Sequence, residues 1–383
     1  MVTAGIIAEY NPFHNGHKYH IEETRRAGAT HIAVVMSGTA VQRGDIAVMS
    51  KYLRAEQAVK YGADLVIELP APYSCSGGEI FASAAVKLLA GLGEGVVNML
   101  SFGSECSDIV CLKAAADISD SLASSDEVKR LVSSGMSYPA AVAAAAGHEA
   151  GGVFSSPNNV LAVEYIKSIK KHAPWISPYA ICRNGAQHDS FEHGKDFASA
   201  TYIRDLIFKG EDHSSFVPEA VAFDPSFLEY ADKIIMYSVM TADKDVLLRT
   251  PDISENLANR FIKARNGCRS AAEFLAALKS KNVTLARIRR ALICLVLGIQ
   301  KEDLQPPPYG RILAFNRRGQ EILALSKNRT VAYGTSLKRL EELSVFAARI
   351  SEIERRAVVL RDLCVKKKPD FTNEYTVKIK LTQ

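Results

Sequence analysis

The sequence predicts an α/β fold, in which a doubly wound parallel sheet is followed by a mostly helical, basic domain. Two observations carry this prediction. In residues 1–210, short and nearly continuous apolar runs alternate with helical patterns, as is typical of parallel strands covered by helices on both faces. In residues 211–383, helical patterns dominate and the net charge changes sign. The expected boundary between a Rossmann-like domain and the basic domain therefore lies near residue 210.

The first half contains five apolar runs of strand length, bounded by turn or loop residues. They cover residues 3–9, 31–36, 64–69, 96–102 and 177–182. Helical patterns alternate with them, at 16–27, 50–62, 79–92, 157–169 and 199–209. The Ala- and Ser-rich stretch 108–152 is also typical of helix, and we expect it to form an insertion over the sheet.

The second half is expected to be mainly helical. Its five predicted helices cover 228–239, 254–264, 270–278, 284–297 and 337–347. The fourth has the clearest signals, because Thr284 is suited to cap its N-terminus and a stripe of leucine and isoleucine marks its buried side. Polar and apolar side chains alternate over residues 374–381, which predicts an edge strand.

The charges are divided unevenly between the two halves. Residues 1–210 contain 18 Lys and Arg against 21 Asp and Glu, whereas residues 211–383 contain 29 against 21. This asymmetry suggests that the first half carries the chemistry and the second half binds a polyanion. A basic surface with no specific partner is the alternative.

The cysteines and the apolar segments narrow the class of protein. The seven cysteines are scattered, and no two form a Cys-x-x-Cys pair, which argues against a zinc ribbon and against a disulfide framework. The N-terminal apolar run has no basic region before it, and later apolar runs are too short to span a bilayer. We therefore expect a cytoplasmic protein with free thiols and without a membrane segment.

The segment His14-Asn15-Gly16-His17 follows the first predicted strand and begins the first predicted helix. Ligands of an open parallel sheet bind beyond the carboxyl ends of the strands, where a helix N-terminus offers free N–H groups to phosphate. Gly16 lets the backbone approach a ligand, and the i, i+3 spacing puts both imidazoles on one side of the first turn. Imidazoles can donate hydrogen bonds to phosphate oxygens as negative charge builds up. The pattern indicates adenylyl transfer without a covalent enzyme intermediate.

Two other interpretations of these histidines are open. One is a plain loop histidine followed by a histidine on a helix face. The other is a zinc site, because His14, His17 and His20 are spaced like metal ligands. No cysteine lies near them in sequence to complete such a set, so we predict no metal site built from protein side chains.

A second candidate segment begins the helix that follows the fifth predicted strand. It is Ser199-Ala200-Thr201-Tyr202-Ile203-Arg204. Hydroxyl groups and backbone N–H groups at a helix start, with an arginine one turn later, are suited to bind phosphate. The alternative is an ordinary helix cap followed by an arginine that faces solvent.

Together the two segments resemble the two signatures of the HIGH-motif nucleotidyltransferase superfamily. These are H-x-G-H after the first strand and an I-S-S-T-x-I-R-like segment near the end of the Rossmann domain. The second is imperfect here, because two of its positions are substituted within residues 197–201, whereas Ser199, Thr201, Ile203 and Arg204 match. The departure weakens the expected roles of individual hydroxyls more than the class of enzyme.

Further segments narrow the resemblance to the bacterial tRNA(Met) cytidine acetate ligases. The run Glu9-Tyr10-Asn11-Pro12-Phe13 before the histidines is the most specific of them. Similar segments follow at Val35-Met36-Ser37-Gly38, Gln42-Arg43-Gly44, Val66-Ile67-Glu68-Leu69-Pro70, Ser101-Phe102-Gly103-Ser104-Glu105, Ser156-Pro157-Asn158-Asn159-Val160-Leu161, Arg183 and Phe315-Asn316-Arg317-Arg318-Gly319. The likeness spans the Rossmann half and continues, less distinctively, through the basic half.

The resemblance implies a two-step reaction. Acetate attacks the α-phosphorus of ATP, which gives acetyl-adenylate and pyrophosphate, and Mg²⁺ is expected to accompany the nucleotide. The N4 amine of the wobble cytidine of elongator tRNA(Met) then takes the acetyl group, which gives N4-acetylcytidine. His14 and His17 are the expected catalytic residues.

The family's ATP contacts, together with the second signature, give a set of expected ATP-binding residues. Asn158 is preferred over its neighbour Asn159. The set comprises Ile7, Ala8, Glu9, Tyr10, Asn11, Pro12, Phe13, His14, Asn15, Gly16, His17, Lys18, Tyr19, His20, Gly103, Asn158, Arg183, Ser199, Thr201 and Arg204.

Arginines of the basic half are the expected tRNA contacts. Those singled out are Arg287, Arg290, Arg317 and Arg318, with Arg289 and the run Lys366-Lys367-Lys368 as further candidates. Two other functions stay open on the sequence. One is a nucleotidyltransferase that adenylylates a phosphorylated metabolite, and the other is an RNA-binding protein whose nucleotide site is vestigial.

Overall fold

Nine strands are present in the computed structural model, which describes residues 1–134, 136, 138–147, 152–182, 197–280, 283–379 and 381. In chain order they are β1 Thr3–Ala8, β2 His31–Ser37, β3 Ala40–Val41, β4 Asp45–Ile46, β5 Leu65–Leu69, β6 Met99–Ser104, β7 Ser177–Cys182, β8 Tyr309–Phe315 and β9 Ala332–Gly334. Seven of them form the main sheet in the order β7-β6-β1-β2-β5-β8-β9, and β3 pairs with β4 as a separate antiparallel hairpin.

The five main-sheet strands of the first half, β1, β2, β5, β6 and β7, are all parallel to one another. Every residue of β2 is buried, and its alternate side chains enter two different cores. Ile32 and Val34 pack in one core, whereas Ala33 and Val35 pack in the other. Burial on both faces explains the unbroken apolar runs of the sequence. The predicted α/β fold and its five strands are confirmed.

Helices cover both faces of these strands. In the first half they are α1 Asn15–Arg26, α2 Lys51–Lys60, α3 Ala71–Ser74, α4 Gly78–Ala90, α5 Ile109–Leu122, α6 Asp126–Ser133, α7 Tyr138–Ala145, α8 Pro157–His172 and α9 Ala200–Lys209. Residues of α1 and α2 pack on one face of the sheet, and residues of α4 and α8 pack on the other. Helices α5 to α7 lie within the predicted insertion.

Five helices of the second half form a core of their own. They are α10 Asp232–Thr241, α11 Lys244–Arg249, α12 Glu255–Arg265, α13 Ala271–Leu278 and α14 Leu285–Leu297. The rings of Phe261 and Phe274 meet edge to face in it, with their centroids 5.0 Å apart. Thr284 caps α14 as predicted, because its side chain accepts from the N–H of Arg287 at 3.3 Å.

The chain then returns to the main sheet. Strand β8 pairs antiparallel with β5, and β9 pairs parallel with β8. These residues fall within the second domain predicted from the sequence, yet they extend the sheet of the first. Arg311 interrupts an otherwise apolar strand. Because of this charge, the hydrophobicity pattern of the sequence did not predict a strand here. The partners of Arg311, all distant in sequence, are acidic side chains.

The remaining helices differ from the prediction. Besides α15 Arg317–Leu325, the structure has α16 Leu337–Glu341 and α17 Val345–Leu363 in place of a single helix at 337–347. Ser344 starts α17, because its side chain caps the N–H of Ala347 at 3.0 Å. Short 3₁₀ helices cover Val153–Ser155, Ser214–Phe216, Leu228–Ala231 and Lys301–Leu304.

The prediction of an edge strand at 374–381 was wrong. Residues 374–376 form a turn instead, and Leu381 makes an isolated parallel bridge to Phe315. The physical reason lies in Glu374, which points into the protein and accepts from buried Arg311 and from the hydroxyl of Tyr52. A buried ionic anchor at this position fixes the segment as a turn, so side-chain alternation was a misleading signal here.

A buried cluster of charges joins the first and last parts of the chain. Lys51 Nζ lies 2.6 Å from Glu68, 3.1 Å from Glu354 and 2.7 Å from Glu374. Arg311 pairs with Glu374 and lies 3.8 Å from Glu68. All five side chains are at most 2% exposed. Such a cluster is stable only when its buried polar groups keep their partners, so it fixes α2, β5, β8 and α17 relative to one another.

Candidate active site

The end of β1 and the start of α1 place two histidine rings side by side. His14 is the N-cap of α1, and its Nδ1 accepts from the N–H of Gly16 at 3.1 Å. His17 Nδ1 accepts in turn from the N–H of His14 at 3.3 Å. The two rings stack with their centroids 3.7 Å apart. Because each Nδ1 is an acceptor, a neutral ring at either position carries its proton on Nε2.

Aromatic neighbours fix the position of His17 within this segment. Its ring meets the buried ring of Tyr10 edge to face, with 4.8 Å between centroids, and lies 5.7 Å from that of Phe13. Tyr10 has a φ of 50°, in the left-handed region that side chains other than Gly and Asn seldom adopt. Strained backbone of this kind persists only where surrounding contacts hold it. The run that precedes the histidines therefore acts as their support.

The second predicted segment meets the first through Arg204. Ser199 caps α9, because its Oγ accepts from the N–H of Tyr202 at 3.1 Å. Arg204 donates from Nη2 to Thr201 Oγ1 at 3.2 Å and from Nη1 to the carbonyl of Asn11 at 2.8 Å. The two segments lie about 190 residues apart in sequence, and this contact brings them to the same cleft.

Two adjoining cavities beyond the carboxyl ends of the parallel strands form this cleft. Both are lined by Ile7, Ala8, His14, His17, Asn158, Leu161 and Tyr165. One extends to Gly16, Tyr19, His20 and Gly103, and the other to Glu9, Tyr10, Asn11, Ser199, Thr201 and Arg204. The structure thus brings most of the predicted ATP-binding residues to one place.

Four residues of the predicted set have other surroundings. Pro12 and Phe13 line a neighbouring cavity with Met49 and Ile207. Asn15 Nδ2 donates to the carbonyl of Ser215 at 2.9 Å, and Lys18 lies 5.7 Å from the ring centroid of Tyr61 on the surface of α1. Arg183, the remaining member of the set, lies outside the described residues.

The two neighbouring asparagines at the start of α8 have different surroundings. Asn159 is buried, and its Oδ1 accepts from Ser104 Oγ at 2.7 Å and from the N–H of Cys106 at 3.0 Å. Asn158 lines the cleft, and its Nδ2 donates to Glu105 at 2.5 Å. Asn159 therefore holds the loop after β6, and Asn158 is the one of the pair that lines the cleft.

Arg54 is a buried arginine next to the site that the sequence analysis did not predict. Arg54 is fully buried on α2 and donates to the carbonyls of Glu9, Ser37, Gly38 and Met49. Burial lowers the pKa of its guanidinium to about 10, so the side chain stays charged at neutral pH. The group ties the ends of β1 and β2 together. The position of Arg54 on the buried side of an amphipathic helix could have indicated this role from the sequence.

The β3–β4 hairpin is a second part of the site that was not predicted from the sequence. Gln42 and Arg43 line the cleft, and the N–H of Gln42 donates to Glu9 Oε1 at 2.8 Å. At Gly44, with φ of 74°, an added Cβ would lie 2.2 Å from the backbone N of Arg290. The hairpin is therefore seated directly on the backbone of α14, and it connects the basic helix with the cleft.

Comparison with known proteins assigns the chain to a family. The model of the HIGH nucleotidyl transferases matches residues 1–371. The tRNA(Met) cytidine acetate ligase of Thermoanaerobacter sp. (strain X514) is 37% identical over 353 residues, covering 86% of this chain and 87% of the relative. That of Alkaliphilus metalliredigens is 32% identical over 404 residues, with 96% and 95% covered. The chain belongs to the tRNA(Met) cytidine acetate ligase family. It is therefore a ligase, as its resemblance to that family implied.

Solved structures agree with this assignment to the ligase family. The apo structure of Thermotoga maritima TmcAL superposes with a TM-score of 0.89 at 28% identity and covers 98% of this chain and 97% of that one. A second structure of the same protein, bound with alpha-thio ATP, gives a TM-score of 0.85 at 28% identity, with 97% of each chain covered. The fold of this ligase is thus that of a protein known to hold an ATP analogue.

The four arginines expected to contact tRNA lie on two different sides of the ligase. Arg287 donates to the carbonyl of Asp252 at 2.9 Å, and Arg290 pairs with the carboxylate of Asp252 at 2.6 Å. Both belong to α14, the helix that supports the β3–β4 hairpin.

Arg317 and Arg318 begin α15, which is anchored at the other edge of the sheet. The N–H of Asn316, just before them, donates to the carbonyl of Asp64 at 3.0 Å. Asp64 immediately precedes β5, so these two arginines lie where the parallel strands start. The cleft lies where the strands end, and five residues of strand, about 17 Å, separate the two edges.

Proposed function

We propose that this ligase binds ATP in the cleft at His14 and His17, forms acetyl-adenylate from acetate, and transfers the acetyl group to N4 of the wobble cytidine of elongator tRNA(Met). The observation that carries the proposal is the contact of Arg204 with Asn11. It joins the two segments that are suited to bind phosphate, residues 14–17 and 199–204, around one cleft. This cleft lies at the carboxyl ends of the strands, where nucleotides bind to such sheets. The names of the related ligases support the choice of acetate and tRNA(Met).

In the first step, a carboxylate oxygen of acetate attacks the α-phosphorus of ATP, and the bond to the β-phosphate oxygen breaks. Pyrophosphate leaves with that oxygen. Negative charge increases on the α-phosphate oxygens as the transition state forms. The Nε2–H groups of His14 and His17 are suited to donate to these oxygens, and the N-terminus of α1 adds its dipole. Held donors of this kind need no reorganisation during the reaction.

In the second step, the N4 amine of cytidine attacks the acetyl carbonyl carbon, and AMP leaves with the bridging oxygen. The nitrogen loses one proton, and N4-acetylcytidine forms. The cleft must therefore admit a base that has left its stack, since an amine within a paired and stacked base cannot reach the adenylate. Because ATP and tRNA are its proposed substrates, we place this enzyme in the cytoplasm.

Mg²⁺ is proposed to enter with the triphosphate. Among the residues that the structure describes, no three His, Cys, Asp or Glu side chains are grouped so as to hold a metal ion. The phosphate oxygens and water would supply the ligands of the ion. Within the same described part of the chain, no helix is both long and apolar enough to cross a bilayer.

A direct assay tests the proposal. The purified protein is incubated with ATP, Mg²⁺, ¹⁴C-acetate and total tRNA, and the RNA is then digested to nucleosides. We expect labelled N4-acetylcytidine that depends on both ATP and acetate. The proposal is wrong if the tRNA stays unlabelled while the protein transfers AMP to a phosphorylated metabolite.

The tRNA surface is proposed to include Arg287 and Arg290, with Arg317 and Arg318 as more distant contacts. Because released counterions drive binding to phosphates, tRNA affinity should fall steeply as salt rises. We expect Arg287→Ala to weaken binding more than Arg317→Ala, because α14 supports the hairpin at the cleft. Binding that is insensitive to salt would argue against a phosphate-binding surface in this half of the chain.

A further inference from the structure

A cluster of three aromatic rings, hereafter the aromatic patch, lies near the cleft and has no role in the steps above. It consists of Phe208, Phe227 and Tyr230. The rings of Phe208 and Phe227 meet edge to face at 4.9 Å between centroids, and the ring of Tyr230 lies 6.2 Å from that of Phe208 with only 23° between their planes. Phe208 is 43% exposed. A large aromatic side chain held in this way at the surface is typical of a binding site.

Two lysines lie beside the aromatic patch. Lys366 Nζ lies 5.9 Å from the ring centroid of Tyr230, and Lys367 lines the same surface cavity as the three rings. Lys367 also pairs with Asp224 at 2.7 Å, although its side chain is 76% exposed. Lys368 follows at the surface. Aromatic rings beside exposed cations are the combination with which proteins bind unpaired nucleotides, because rings stack on bases and lysines attract the phosphates.

The aromatic patch is connected to the cleft by two short routes. Along α9, Phe208 follows Arg204 by four residues, which is about one turn and 6 Å of helix. Across the loops, the N–H of Ser226 donates to the carbonyl of Val48 at 3.1 Å, and the N–H of Val48 donates to Asn11 Oδ1 at 2.8 Å. Both routes end at the segment that supports the two histidines. A nucleotide next to a cytidine bound in the cleft is therefore within reach of the rings.

We propose that the aromatic patch binds an unpaired base that neighbours the target cytidine in an RNA loop, by stacking it on Phe208 and Tyr230, while Lys366 to Lys368 contact the adjoining phosphates. This inference rests on the proposed function and adds to it the site that holds the RNA strand. Bases in a duplex do not offer their faces to protein rings. The aromatic patch thus selects cytidines in open loops over cytidines in stems.

Substitutions at Phe208 distinguish stacking from simple apolar contact. We expect Phe208→Ala and Phe208→Leu to raise KM for tRNA about tenfold or more, since stacking on an aromatic ring is lost in both. Phe208→Trp should keep KM near that of the wild type. ATP–pyrophosphate exchange with acetate, measured without RNA, should be unchanged in all three variants, which shows that the cleft is intact. Tyr237→Ala removes an aromatic side chain that is 71% exposed elsewhere, and it should alter neither assay.

A binding measurement provides an independent test. The chain has one tryptophan, Trp175, so the double variant Trp175→Phe, Phe208→Trp has its only tryptophan at the aromatic patch. Loop RNA that contains the target cytidine should quench its fluorescence, whereas the same sequence closed in a duplex should not. Equal quenching by both RNAs, or a leucine variant with wild-type KM for tRNA, would overturn the proposal.

The remaining outcomes are equally decisive. If Phe208→Leu instead changes the sedimentation of the protein without changing KM for tRNA, the aromatic patch is a surface for another protein chain and the RNA proposal is wrong. Failure of the wild type to make N4-acetylcytidine would reject the proposed function. Normal acetylation by the wild type and by Phe208→Leu alike would reject the proposal for the aromatic patch alone.

Discussion

Arg204 Nη1 donates to the carbonyl oxygen of Asn11 at 2.8 Å, and this one hydrogen bond joins the two segments that the sequence singled out separately. Asn11 belongs to the run that supports His14 and His17, and Arg204 lies one turn into α9. The same guanidinium holds Thr201 through Nη2. Arg204 therefore orders both sides of the cleft before it meets any ligand.

Removal of Arg204 should affect nucleotide binding and chemistry together. We expect Arg204→Ala to lower kcat/KM for ATP by about 10- to 150-fold, because charge-assisted hydrogen bonds contribute about 1.5–3 kcal/mol. Arg204→Lys keeps the charge but lacks the planar fork that spans Asn11 and Thr201. We expect it to recover only part of the loss in an ATP–pyrophosphate exchange assay. Full recovery by lysine would show that charge alone matters at this position.

Each histidine should contribute to adenylate formation by itself. We expect His14→Ala and His17→Ala each to slow ATP–pyrophosphate exchange by about 10²–10³-fold, the usual effect of removing one held donor to a transition-state oxygen. His172→Gln is the control, because His172 is a half-buried histidine that meets Ser83 on α4. Unchanged exchange in either alanine variant would contradict the proposed role of the pair.

Gly44 should not tolerate a side chain, and the effect of the steric clash can be separated from that of backbone strain. An added Cβ would lie 2.2 Å from the N of Arg290, and the backbone φ is 74°. Gly95 has nearly the same φ, 76°, and open space around it. Gly95→Ala therefore measures the backbone strain alone. We expect Gly44→Ala to lose more stability in urea unfolding than Gly95→Ala, and to lose activity as the hairpin moves. Equal losses would mean that the contact with α14 is not tight.

The buried charge cluster predicts a dependence of stability on pH. Burial raises the pKa of the Glu68 carboxyl from its usual 4.5 to about 8. The folded protein therefore holds a proton there that the unfolded chain has released above pH 4.5, and the free energy of unfolding should fall as pH rises from about 4.5 to 8. Glu68→Gln removes this titration. We expect the pH dependence over that range to be shallower in Glu68→Gln than in the wild type, measured by urea unfolding.

A different carboxyl of the cluster sets the acid limit. Burial opposes ionisation of Glu354, but attraction to Lys51, with hydrogen bonds to Glu68 and the N–H of Ala71, outweighs it and lowers the pKa of the carboxyl to about 2. Its contribution to stability is therefore lost only as pH falls from 4.5 towards 2, well below the range in which Glu68 acts. The two effects can be separated by the pH at which each appears.

Local signals in the sequence were sufficient for the parallel sheet and for the two site segments. Strands buried on both faces leave unbroken apolar runs, and helix starts leave caps such as Ser199 and Thr284, so both could be predicted from neighbouring residues. The segment 14–17 could be placed because the end of the first strand of such a sheet is a usual ligand site. None of these inferences needed contacts between distant parts of the chain.

The features that escaped prediction depend on distant partners. Arg54 is a site residue only because four carbonyls from different loops converge on it, and their convergence is a property of the fold. Strand β8 carries an arginine that would be excluded from a core but for Glu374 and Glu68. Arg43 reaches the cleft because Gly44 fits against α14. The spacing of residues along the chain does not indicate which distant residues come into contact in the fold.

The charge cluster also makes the final structure of the early part of the chain depend on residues that are synthesised last. Lys51 and Glu68 are made early, whereas Glu354 and Glu374 leave the ribosome about 300 residues later. Until then, β5 lacks its neighbour β8 and the early charges lack their late partners. The first half therefore cannot reach its final form until β8, α17 and the turn at Glu374 have been made.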